Sequence, residues 1–168
     1  IPEDRKNCGI FPRRDLKENV TAAEIEKFVD RKVKFLGFKN EKENAQKVLD
    51  RFRVACPGID AYITELSGGN QQKVIVGRWL SHSPKVCMFD DPTRGVDVGS
   101  RAEIGEYIVE LAKTGTSVIL VSSDLNELVS LAHRIFIMRR GRLVGEVMRE
   151  EFDVRQILSV SSSDSESS

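Results

Sequence analysis

The chain holds only three cysteines, two histidines, one tryptophan and five prolines in 168 residues. Cys8, Cys56 and Cys87 are odd in number and far apart. That excludes a disulfide framework and a metal knuckle, and reads as reduced thiols. His82 and His133 each stand alone, which suits a surface role better than metal binding. No apolar run approaches the about 18 residues that a membrane-spanning helix needs, and no signal-peptide pattern is visible. Charge of one sign is not in excess either. Twenty-six basic and twenty-six acidic residues give a net charge of zero, which argues against a non-specific nucleic-acid binder, normally basic. Long heptad arms are missing as well. One more absence bears on chemistry. A phosphate loop of the form Gly-x-x-x-x-Gly-Lys-Ser/Thr wraps phosphates with backbone N–H groups and a lysine. No Gly-Lys pair occurs anywhere in the chain.

What is present centres on Leu66-Ser67-Gly68-Gly69-Asn70-Gln71-Gln72-Lys73-Val74. Ser67, Gly68 and Gly69 can form a sharp turn, because glycine reaches backbone angles closed to other residues. A helix is predicted from Gln71 to Leu80, with Val74, Val76, Trp79 and Leu80 available for one buried face. A helix start leaves N–H groups unpaired and carries partial positive charge. The stretch is therefore a candidate phosphate site. A plain turn and cap fits the same residues.

Around it, hydrophobic periodicity outlines a chain long enough to bury a core. Thr21 with Glu24 reads as a capping box opening a helix that carries Ile25, Phe28 and Val29 on one face. A turn at 37–40 leads to a second helix, predicted over 41–54, with Ala45, Val48, Leu49 and Phe52 as its stripe. Pro57-Gly58 ends it. Lys85-Val86-Cys87-Met88-Phe89, apolar on both faces, reads as a buried parallel strand ending in Asp90-Asp91-Pro92. Ligands of open α/β sheets gather at the carboxyl ends of such strands. Capping of the next helix is the other reading of the two aspartates. A helix over 98–113, a strand over 117–121 and a helix over 125–132 follow, with Ser123 as a possible N-cap of the last. A hairpin over 134–147 turns at Arg139-Arg140-Gly141-Arg142. A helix over 149–158 closes the pattern. The acidic, Ser-rich residues 159–168 are predicted to be a disordered tail.

Leu66 to Lys73 resembles the signature motif of the ABC transporter ATPases. Its Asn-Gln-Gln-Lys form is similar to the second nucleotide-binding domain of bacterial monosaccharide importers of the ribose, galactose and xylose type. Pro2-Glu3-Asp4-Arg5-Lys6, Leu16-Lys17-Glu18-Asn19-Val20 and Thr93-Arg94-Gly95-Val96-Asp97-Val98-Gly99 resemble further segments of that domain. The resemblance runs from Pro2 to about Leu158 and implies an α/β fold of the P-loop NTPase kind. That fold is a parallel sheet with helices on both faces plus a helical subdomain, here incomplete. Residues 16–83 would form the helical subdomain and 84–158 the core.

The resemblance also implies roles. Ser67, Gly68, Gly69 and Gln71 would meet the γ-phosphate of ATP held by a partner domain. Asp90 would hold Mg²⁺. Asp91 stands where the family usually has the glutamate that polarises the attacking water. Its carboxylate is withdrawn by on the order of 1 Å, a misplacement that can cost about 10²-fold in rate. Asp97 falls in the D-loop, Ser123 at the switch position usually held by histidine, and Glu3 at the Q-loop position. The implied cofactors are ATP and Mg²⁺. The implied partners are the first ATPase domain of the same tandem protein, membrane permease subunits and, indirectly, a sugar-binding protein, with no nucleic acid. The implied location is the inner face of the cell membrane, as a peripheral subunit. Without a P-loop the chain is expected to lack ATPase activity alone. A non-catalytic remnant acting as a binding or structural module, and a nucleic-acid-associated ABC ATPase, are the rival readings. A sheet without its P-loop strand would leave roughly 9.6 Å between the strands of Ser117 and Arg134. Either Ile119 and Phe136 stay exposed beside that slot, or the two strands collapse together.

Overall fold

A computed structural model describes residues 1–23 and 38–162. The chain divides into two compact units, Ile1–Ile119 and Leu120–Ser168.

In the first unit, α1 (Leu16–Thr21) starts at Asp15. The Asp15 carboxylate accepts the Glu18 N–H at 2.8 Å, and the Glu18 carboxylate accepts the Asp15 N–H at 3.2 Å, a reciprocal capping box. The box expected at Thr21 would open the next helix and needs Glu24, so it lies outside the described residues. Thr21 ends α1, and its hydroxyl donates to the Lys17 carbonyl and the Glu41 carboxylate, both at 2.9 Å. Glu24, Ile25, Phe28, Val29 and the start of the predicted turn at Gly37 lie outside the described residues. Next, α2 (Phe38–Arg51) begins and ends a turn earlier than predicted. Its stripe is as read: Ala45, Val48, Leu49 and Phe52 are buried.

The signature helix α3 (Gly68–Leu80) takes both glycines into its first turn, with Ser67 rather than Asn70 as the residue before it. It packs on α1 and α2 and on α4 (Val98–Lys113). Val74, Ile75, Val76 and Leu80 are buried, but Trp79, expected on the buried face, is 43% exposed. Neighbours wrap most of α3, and Trp79 leaves on the open side of its last turn, tilted against His82. The Phe52 and Tyr107 rings meet edge to face at 4.8 Å and join α2 to α4.

Strands β1 (Val86–Asp90) and β2 (Ser117–Val121) flank α4 in sequence and pair side by side. The Ser117 N–H donates to the Lys85 carbonyl at 2.9 Å, so the strands start level, as parallel neighbours do. On the other edge of β1, the Ile1 amino group donates to the Met88 carbonyl at 2.8 Å, and the Asp90 N–H donates to the Ile1 carbonyl at 3.0 Å. The strand was expected to be buried on both faces. Only one face is covered: Cys87 and Phe89 are buried, while Val86 and Met88 are exposed. Burial also pushes the Cys87 thiol above its ordinary range.

In the second unit, α5 (Leu125–Leu131) is capped by Asp124, which accepts the Asn126 N–H at 3.0 Å. The cap is thus one residue past the predicted Ser123, because a carboxylate set in extended backbone reaches that N–H. Strands β3 (Arg134–Arg139) and β4 (Arg142–Met148) form an antiparallel hairpin with Arg139 opposite Arg142. Arg140 (φ 48°) and Gly141 (φ 76°) make its two-residue turn, whose left-handed backbone matches the strand twist. Helix α6 (Val154–Ser162) closes the unit; Ile157 packs with Ile135 and Ile137. Residues 159–162 were expected in a disordered tail but are helical. The Ser159 and Ser161 hydroxyls donate to the carbonyls of Gln156 and Leu158, at 2.7 and 2.8 Å, and so turn inward along the helix. Among the described residues the strands form two sheets, β1–β2 and β3–β4. Ile119 is 49% and Phe136 47% exposed.

Candidate functional site

The α3 start is built by short-range polar contacts. Ser67 adopts extended backbone (ψ 157°), and its hydroxyl oxygen accepts from the Asn70 N–H at 3.4 Å and the Asn70 amide at 3.0 Å. Asn70 in turn accepts the Ala55 N–H at 2.9 Å, which ties the turn to the end of α2's segment. The Gln71 amide donates to the carbonyls of Ile63 and Leu66 at 3.2 and 3.1 Å, so it holds the incoming loop. The first N–H groups of a helix have no partner within it. Among the described residues, those of Gly68 and Gly69 find none elsewhere. The Ser67 oxygen only accepts, so its proton is available as well. Three donors and the positive end of a 13-residue helix therefore stand at one turn, in which Ser67 is exposed, Gly68 half-buried and Gly69 buried.

Close packing leaves little room for a side chain at either glycine. A Cβ on Gly69 would lie 2.7 Å from the Asp97 carboxylate and closer still to Ser100. A Cβ on Gly68 would lie 2.7 Å from Nη2 of Arg5. One turn further along α3, buried Lys73 ion-pairs with Glu103 of α4 and donates to the Arg53 carbonyl at 3.2 Å. The signature turn is thus braced along α4.

Asp97 caps α4. Its carboxylate accepts the Ser100 N–H and the Ser100 hydroxyl, both at 2.9 Å. These bonds hold the Asp97 carboxyl below the usual carboxylate range, the backbone bond contributing most. Asp90 ends β1 with an exposed carboxylate. Asp91 follows at φ 41°, in the left-handed region that aspartate tolerates better than most residues. Among the described residues no group of three His, Cys, Asp or Glu converges. Magnesium commonly uses one or two carboxylates, with phosphate oxygens and water supplying the rest. Asp90 fits as the one carboxylate ligand of an ion that arrives with a phosphate. Glu3 pairs with Arg94, just after the aspartates. Ser123 is exposed in the second unit, ahead of the Asp124 cap, and its neighbour Ser122 donates to buried Glu127.

Sequence reading missed Arg5, Ser100 and the Lys73–Glu103 pair. Lys73 had a readable signal, a charge between the apolar residues of a buried helix. Arg5 had none, since its partners are backbone groups about ninety residues away. A cavity of about 450 Å³ lies at the other end of β1, lined by Phe52, Leu80, Lys85 and Tyr107, away from all these groups.

Comparison with known proteins adds three findings. A family model described as ABC transporter matches residues 1–94. The galactose/methyl galactoside import ATP-binding protein MglA of Vibrio vulnificus is 40% identical over 162 residues, covering 96% of this chain and 32% of that protein. The arabinose import ATP-binding protein AraG of Shigella boydii is 43% identical over 164 residues, covering 95% and 31%. The chain therefore spans about a third of the length of these relatives. Among solved structures, a dimeric post-hydrolysis state of the ATP-binding cassette MJ0796 bound to ADP and Pi superposes with a TM-score of 0.72. It is 23% identical and covers 89% of this chain and 62% of that one.

Proposed function

Because the chain belongs to the ABC transporter family, we propose that it works as part of the ATP-binding subunit of a monosaccharide importer. Its own contribution is the signature turn, offered to ATP held on a partner ATPase domain. One observation carries this reading: the paired, acceptor-less N–H groups of Gly68 and Gly69 beside the Ser67 hydroxyl at the α3 start. The sugar-import relatives support the substrate class, and the superposed dimeric cassette supports action between two domains. Membrane permease subunits and a sugar-binding protein complete the proposed assembly. No helix among the described residues is long and apolar enough to cross a membrane, in keeping with a peripheral subunit.

ATP with Mg²⁺ would supply the transferable phosphoryl group. Toward it, Ser67, Gly68 and Gly69 donate hydrogen bonds where negative charge develops, the task that dominates phosphoryl transfer. Asp90 supplies an oxygen ligand to the metal on this domain's own side. Asp91 and Ser123 make that side the weaker one. A shortened carboxylate sits at the water-polarising position, and a serine at the switch cannot be cationic at any pH.

The test is Ser67→Arg in the assembled importer that contains this sequence. Arginine at the cap fills the turn and removes the serine donor. ATP turnover and sugar uptake are expected to be abolished, with nucleotide affinity of the partner domain within about twofold of the parent. Normal uptake by this variant would refute the reading.

A further inference from the structure

The Arg5 guanidinium lies between the two loops of the proposed site. Its Nη1 donates to the Arg94 carbonyl at 3.4 Å. Its Nη2 would meet a Gly68 Cβ at 2.7 Å and a Gly95 Cβ at 3.9 Å, so the fork lies against Gly68 and near Gly95. Glu3, two residues before it, grips the Arg94 side chain. The 3–5 segment thus holds Arg94 by main chain and side chain together, and holds the signature turn at Gly68. We propose that Arg5 is a positioning residue, which fixes the signature turn against the loop that follows Asp90 and Asp91. The inference rests on the signature turn acting on a nucleotide.

Two features speak against a purely stabilising role for Arg5. A cation beside a helix N-terminus is repelled by the helix field. Its Nε is buried without a hydrogen-bond partner, which is unfavourable for a polar group. The fork sits where stability alone would not put it. Yet only a fork reaches the Arg94 carbonyl and covers Gly68 together, because lysine offers a single point of donation. Arg5 then bears on Gly68, while Asp97 and Ser100 pack on Gly69.

The experiment compares Arg5→Ala, Arg5→Lys and Ser67→Arg in the assembled importer. Arg5→Ala is expected to lower kcat for ATP by about tenfold to 10²-fold, the scale of a misplacement near 1 Å. KM is expected to stay within twofold, since the nucleotide is held elsewhere. Arg5→Lys is expected to fall with it. In the chain itself, hydrogen exchange of Arg5→Ala is expected to rise about tenfold at 67–70 and 94–97 and to stay unchanged at 74–80. Full recovery by lysine, turnover of Arg5→Ala within twofold of the parent, or a raised KM at constant kcat would each overturn the positioning role. Loosening that extends through 74–80 would overturn it too, since Arg5 would then serve only folding. If Ser67→Arg leaves turnover intact, the proposed function falls instead. If Ser67→Arg abolishes turnover while Arg5→Ala keeps it, only the Arg5 inference falls.

Discussion

Arg78 is a buried cation on α3 whose partners are all neutral. It donates to the Asn19 carbonyl at 2.5 Å, the Gly9 carbonyl at 2.8 Å and the Asn19 side-chain oxygen at 3.1 Å. Burial lowers its pKa to about 10, so it stays charged at neutral pH. The guanidinium thereby ties α3 to the N-terminal turn and to α1, and also lies 5.2 Å over the Phe11 ring. Removing it strands buried acceptors, each costing about 1–3 kcal/mol. Arg78→Ala is expected to destabilise the chain by about 3 kcal/mol, read as a lower urea midpoint at unchanged m-value. Arg78→Lys, which keeps one donor, is expected to lose less. An Arg78→Ala midpoint equal to the parent's would show that Arg78 does not anchor these segments.

Element packing turns on a close approach of α2 to α3. Gly77 allows it: an added Cβ would lie 2.8 Å from Val48 Cγ1 and 2.9 Å from Phe52 Cδ2. Two effects of Gly77→Ala compete. Alanine gains about 1 kcal/mol of helix propensity. Overpacking a full core costs about 1–3 kcal/mol, and Val48 and Phe52 are both buried and braced. Overpacking is expected to win, so Gly77→Ala lowers the melting temperature. Gly58→Ala serves as the control, because its added Cβ meets nothing within 4 Å. A Gly77→Ala protein melting above the parent would mean that α2 can shift without loss.

At the scale of the whole molecule, a parallel sheet normally has both faces covered. Here Val86, Met88, Ile119 and Val121 of β1 and β2 are all about half exposed or more. Contiguous apolar surface of this kind marks an interaction site or a site of self-association. The chain by itself is expected to bind an apolar-surface dye and to self-associate, measured by dye fluorescence and light scattering. Met88→Lys with Ile119→Lys should reduce both while leaving the helical circular dichroism unchanged. A dye-silent, monodisperse parent chain would contradict the exposed face.

Some features were local and therefore legible. The 98–113 helix and the 117–121 strand fall where the pattern put them, because apolar spacing and the closing Gly115 act within a few residues. The hairpin turn was equally readable from Arg140-Gly141. The turn at the α3 start was legible as a motif, since Ser67 caps the helix that the two glycines open. The Asp15-x-x-Glu18 box that opens α1 was equally local, but went unread. Tertiary structure decided the rest. It exposed Trp79, paired Lys73 with Glu103, set Arg5 between Gly68 and Gly95, and left β1 covered on one face. Each of these depends on which elements come to lie together. Side-chain burial and charge pairing across many residues are set by that stacking, and the local pattern that makes a helix or a strand carries no record of it.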